Sequence, residues 1–95
     1  MDLEFTEEAS NDIEHIQRFL IAAEAANHQQ IVGDIVSSAD RLLTFPRLGV
    51  KVSAANNPDL IRDYYYKTFV LRYLLTPARI YILRVWHQRE NERNT

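Results

Sequence analysis

The chain has 95 residues, 46% of them hydrophobic and 25% charged, with two glycines, three prolines and no cysteine. That length fits one domain, 1–95, with a single core, and the mixture excludes a disordered, fibrous or disulfide-stapled protein. Without a thiol there is no cysteine nucleophile and no cysteine-ligated metal; no metal or cofactor is expected, and the absence of cysteine points to a reducing cytoplasm. Met1 leads into DLEFTEE, which has neither the basic start nor the apolar run of a signal peptide. No apolar stretch approaches the ~20 residues of a membrane span, so no membrane contact is expected.

In chain order, Leu3 and Phe5 share one face of a short first strand over DLEF. Thr6 stands at an N-cap position, with Glu7 and Glu8 in the first turn where the helix dipole favours acids. Ile13, Ile16, Leu20 and Ala23 then repeat at helical spacing, predicting an amphipathic helix over 7–25. Asn27 and Gln30 have the spacing of a capping box, and a second helix with Ile35, Ala39 and Leu42 on its apolar side runs to Pro46. The segment PRLGVKVSAANNPD reads as a connecting loop, with a short extended piece near Val50.

Three strand-like runs follow, LIRDYYY at 60–66, FVLRYLLT at 69–76 and RIYILRVWH at 79–87. The breaks between them are short, so they should pair as an antiparallel meander. A helical hairpin on one face of that sheet buries both apolar surfaces, which predicts a two-layer α+β fold with one sheet face left open.

Net charge is −2 but uneven. Residues 1–45 hold nine acids against Arg18 and Arg41, a balance of −7, whereas residues 46–95 hold nine bases against four acids, a balance of +5. Such asymmetry suggests an anionic partner for the second half. Sorting the runs by alternation puts Ile61, Phe69, Leu71, Tyr73, Leu75, Tyr81, Leu83, Val85 and His87 on the helix side. The other face would then carry Arg62, Arg72 and Arg84, one per strand, among Tyr64, Trp86 and aliphatic neighbours. Guanidinium forks bind phosphate or carboxylate bidentately, and tyrosine and tryptophan rings such as Tyr64 and Trp86 can stack a base; the alternative is that the arginines only keep an exposed sheet face soluble.

With these residues on the page, the chain resembles the RelE/ParE superfamily of bacterial toxins, the toxic halves of type II toxin–antitoxin pairs. The resemblance rests on the strand and helical hairpin, on FPRLG, on IRDYYYKTFVLRYLL, and most specifically on IYILRVWHQRENER. It implies growth inhibition, a role in plasmid stabilisation, a cognate antitoxin as partner and a toxin–antitoxin hetero-oligomer. RelE-like members cut mRNA on the ribosome, whereas ParE-like members poison DNA gyrase.

For a nuclease, Arg62 and Arg72 match the family's phosphate-binding arginines and His87 matches a histidine near the end of the last strand. His87 would serve as acid or base, its unperturbed pKa of roughly 6.5 lying near neutrality, and Arg89 would contact phosphate or ribosomal RNA. No metal is needed for that reaction. The chain departs from this pattern in having only Lys51 and Lys67 as lysines, an acidic balance, and Gln88 where some nucleases carry an aromatic residue. The weight therefore falls on the ParE-like branch, with Arg84, Trp86, Arg89 and Tyr64 as the binding surface. By alternation His87 shares the core side, so a structural role weighs equally with a catalytic one, and a non-toxic binding module that keeps the fold is the third reading.

Overall fold

The computed structural model describes residues 1–53, 55–57 and 60–90. The elements are β1 (Asp2–Phe5), α1 (Glu7–Ala22), α2 (His28–Ser38), the single turn α3 (Arg41–Thr44), β2 (Val50–Lys51), β3 (Ile61–Tyr66), β4 (Phe69–Leu75) and β5 (Arg79–His87). The strands form one sheet in the order β1-β5-β4-β3-β2, with β1 parallel to β5 and every other pair antiparallel. Two helices packed on a five-stranded mixed sheet give the expected two-layer α+β fold.

Thr6 joins the layers. Its hydroxyl accepts the Ala9 N–H at 3.2 Å as a helix cap and also lies 3.1 Å from the Ile82 and Leu83 carbonyls, while its own N–H donates to Ile82 O at 3.0 Å. The second cap differs from expectation. Asn27 starts α2 but its side chain makes no cap bond, so the box with Gln30 does not close. Nor does the second helix run unbroken to Pro46: α2 stops at Ser38, whose hydroxyl donates to Ile35 O at 2.6 Å, a back-bond of the kind that bends helices.

The core joins Ala9 and Ile16 of α1, Ile35 of α2, Ala39 and Leu42 to Tyr64, Leu71, Tyr73, Leu75, Ile80, Ile82 and Val85 of the sheet. This corrects the expected faces in two places. Along β3 the alternation is inverted: Tyr64 pairs with Leu71 and Arg62 with Tyr73 on the helix side, whereas Asp63 and Arg72 pair on the other. Along β5, Ile80 and Ile82 face the core opposite Leu75 and Tyr73. A bulge at Leu83 then resets the parity, since Arg72 faces Arg84 while Tyr73 faces Ile82. Beyond it Val85 and His87 return to the expected side, opposite Leu71 and Phe69.

Candidate functional site

The expected row of three arginines on one open face is not formed, because each arginine has its own internal partner. Arg62 is 7% exposed on the helix side, where its Nη1 donates to Gly49 O at 3.0 Å and Arg47 O at 3.3 Å. Arg72 lies on the opposite face, gripping Asp63 bidentately at 2.8 and 2.9 Å with its guanidinium 5.1 Å over the Trp86 ring. Arg84 turns off the sheet edge to Asp12 of α1, with bonds of 2.8 and 3.0 Å. The hydrogen bonds that Arg72 donates to Asp63 hold its guanidinium above the ordinary pKa, and those that Arg84 donates to Asp12 do the same for Arg84.

Arg72 and Arg84 are direct cross-strand neighbours, a repulsive placement that these separate carboxylates offset. Asp12 has a further task. It accepts the Val85 N–H at 2.9 Å, supplying to the β5 edge the acceptor that β1, which ends at Phe5, no longer provides. Arg79 completes the pattern with Glu4 at 3.3 Å and Asp2 at 3.4 Å. Asp2, Glu4 and Asp12 of the first half thus meet Arg79 and Arg84 of the second, and part of the charge asymmetry is answered within the fold.

Tyr64 and Trp86 are 7% and 4% exposed, so neither presents a ring face for stacking a base. Tyr64 belongs to the core cluster. Trp86 lies beneath Arg72 with its Nε1 buried and without a hydrogen-bond partner among the described residues.

Arg62 serves instead in a clamp on FPRLG. The Tyr73 hydroxyl donates to Pro46 O at 2.7 Å and accepts the Gly49 N–H at 2.9 Å, while Arg62 takes the Gly49 and Arg47 carbonyls. The approach is so close that a Cβ on Gly49 would lie 2.6 Å from Tyr73 Cε1, which is why glycine stands there. Burial raises the Tyr73 pKa, and the Gly49 N–H partly offsets it.

His87 is found elsewhere, in a groove of about 380 Å³ between α1 and the ends of β4 and β5. Its ring meets Phe69 edge-on at 5.4 Å, and its Nδ1 accepts the Arg89 N–H at 3.1 Å. Ile16, Phe19 and Leu20 form the helix wall, and His15 stands 3.9 Å from Glu90 across the rim. Phe19 is 66% exposed, a large uncovered apolar surface. Phe69 also lines a second pocket of about 210 Å³ with Ile31, Ile35 and Tyr66, so apolar surface continues from α1 towards α2. This arrangement can receive an apolar helix or extended segment. It brings His87 and Arg89 together but neither Arg62 nor Arg72. The described residues contain no metal-holding group of three His, Cys, Asp or Glu side chains.

Phe19, uncovered at the groove, and Asp12, which holds the β5 edge, stand out in the structure and not in the sequence. In the sequence Phe19 lies beside the Ile16 and Leu20 stripe and only broadens it, although a stripe broader than the layer beneath it signals surface left for a partner. Asp12 gave no local signal, since its partners Arg84 and Val85 lie more than 70 residues away.

The comparisons agree with this architecture. The family described as "ParE toxin of type II toxin-antitoxin system, parDE" matches residues 3–92. A solved chain titled "Chromosomal ParDE TA system from P. aeruginosa" superposes with a TM-score of 0.73 at 21% identity, covering 92% of this chain and 95% of that one. At that identity the likeness is one of fold. No curated protein gave a significant sequence match.

Proposed function

Because the chain belongs to the ParE toxin family of type II toxin–antitoxin systems, we propose that it inhibits growth by acting on DNA gyrase until a cognate antitoxin covers it. The observation that carries the choice of target is the separation of the arginines. Cleaving RNA asks for cations gathered around one phosphate beside an acid and a base. Here Arg62 points into the core, Arg72 is held by Asp63 on the other face, and His87 lies in the groove without either.

The antitoxin's place is the groove. A partner helix laid between α1 and Phe69 would bury Phe19, and acidic side chains on it would meet Arg89 and the imidazoles of His15 and His87. Neutralisation then follows from a hetero-oligomer in which this surface is covered.

Induction without the antitoxin tests the target. Arrested growth with gyrase-dependent DNA breaks, and loss of supercoiling activity when purified toxin is added to gyrase, is the expected result. Codon-linked mRNA cleavage with normal supercoiling would transfer the protein to the ribosome-dependent nuclease class, and unimpaired growth would leave a binding module.

A further inference from the structure

A second apolar surface lies apart from the groove, on the segment that Tyr73 and Arg62 hold. Phe45 is 55% exposed and Leu48 is 42% exposed, and both line a shallow, open depression of about 470 Å³ together with Pro46 and Arg47. The turn between them is fixed by the Leu48 N–H to Phe45 O bond at 3.0 Å. An exposed loop carrying a phenylalanine and a leucine would ordinarily relax and hide them. This one cannot, because its backbone at Pro46, Arg47 and Gly49 is bound from the core side by side chains that are themselves buried.

The charges here differ from those on the sheet. Arg72, Arg79 and Arg84 are paired with carboxylates, whereas exposed Arg47, which lines the depression, and exposed Arg41, one helical turn before Phe45, have no ion pair among the described residues. Shape separates the two apolar surfaces as well. The groove is concave and suits a single helix or strand, while the platform is open and rigid and suits the face of a folded protein. A pre-fixed surface loses little conformational freedom on docking.

We propose that the Phe45–Leu48 platform, with Arg41 and Arg47 beside it, is the surface by which the toxin grips an acidic patch on its folded protein target. This rests on the toxin reading above and deepens it by assigning target and antitoxin to separate surfaces. Apolar contact with Phe45 and Leu48 supplies the anchor, and carboxylates facing Arg41 and Arg47 supply orientation and speed of encounter.

The test uses the full-length chain and its antitoxin, with two variants, Phe45→Ser and Arg47→Glu, whose native side chains are exposed and whose folding is checked by thermal unfolding. Each should weaken growth inhibition on induction by roughly tenfold or more, while affinity for the antitoxin by calorimetry stays within about twofold of wild type. Raising salt should weaken target binding by the wild type more than by Arg47→Glu. Full toxicity in both variants overturns the proposal, as does a parallel loss of antitoxin affinity, which would give the platform to the antitoxin. If the wild-type chain does not inhibit growth, the toxin reading itself fails and the assignment of a target surface fails with it.

Discussion

Along the paired strands β3 and β4, the helix-facing side of the sheet ends in two different ways. At the Arg62–Tyr73 rung, buried polar groups take the carbonyls of Pro46, Arg47 and Gly49 and the Gly49 amide, and the loop they hold becomes rigid. At the Tyr66–Phe69 rung, the same side opens into apolar pockets beneath α1 and α2, with Phe19 uncovered above. Polar groups buried with their partners fix a backbone, because withdrawing any one strands the others away from water. Apolar surface left beside a gap is complete only when something else fills it.

The sharpest way to break the first region is Arg62→Ala, with Arg72→Ala as its counterpart on the solvent face. Removing Arg62 leaves two carbonyls without their donor and a void against Tyr73, for a loss of about 3 kcal/mol. Arg72 is partly exposed and bound mainly to one carboxylate, so its removal should cost about 1 kcal/mol. Urea unfolding measures both. Equal losses would mean that the clamp is no more important to the fold than a surface ion pair.

Tyr73→Phe is milder, since the ring stays and only the hydroxyl goes. The Gly49 N–H and Pro46 C=O lose a partner, a loss of about 1.5 kcal/mol. The same variant has a pH signature. Burial raises the Tyr73 pKa above its ordinary 10.0. Below that value both folded and unfolded chains keep the phenolic proton, and the stabilisation is full. As pH rises past 10.0 the unfolded chain releases the proton while the folded chain holds it, so stability falls until Tyr73 itself ionises. Wild type should therefore lose stability above about pH 10 more steeply than Tyr73→Phe. Parallel profiles for the two proteins would contradict a buried, neutral Tyr73.

Much of this architecture was legible beforehand. The Thr6 cap, the α1 stripe and the three strand runs each carry a local signal, and together they specify two layers. The site was less so, and the inverted β3 shows why. Its alternation is equally good in either phase, because IRDYYY offers Ile61 on one parity and tyrosines on both. The loop lengths held the answer. A two-residue turn at Lys67–Thr68 forces Tyr66 opposite Phe69, and one at Pro77–Ala78 forces Leu75 opposite Ile80, which together bring Arg62, Tyr64, Ile80 and Ile82 to the core side. The bulge at Leu83 had no comparable signal, for no glycine or proline marks it. It arises where β5 outruns β1 and exchanges strand pairing for Asp12, a contact that depends on the whole fold.

The smallest effect lies at the groove end, in the turn that carries α1 into α2. Glu24 has φ 59°, the left-handed conformation that closes a helix, with the Ala25 N–H donating to Leu20 O at 2.9 Å and the Glu24 N–H to Ile21 O at 2.9 Å. A glutamate there bears a Cβ clash that glycine lacks, at about 1 kcal/mol or a little more. Glycine in turn costs more entropy when the chain folds. The balance predicts that Glu24→Gly raises stability by about 0.5 kcal/mol and the melting temperature by about 3 °C. Since Phe19 and Leu20 line the groove just before this turn, antitoxin affinity should be unchanged if the turn only joins the helices. A gain in stability accompanied by weaker antitoxin binding would instead show that the strained turn shapes the groove, tying the open end of the sheet to its partner as firmly as Tyr73 and Arg62 tie the closed end to its loop.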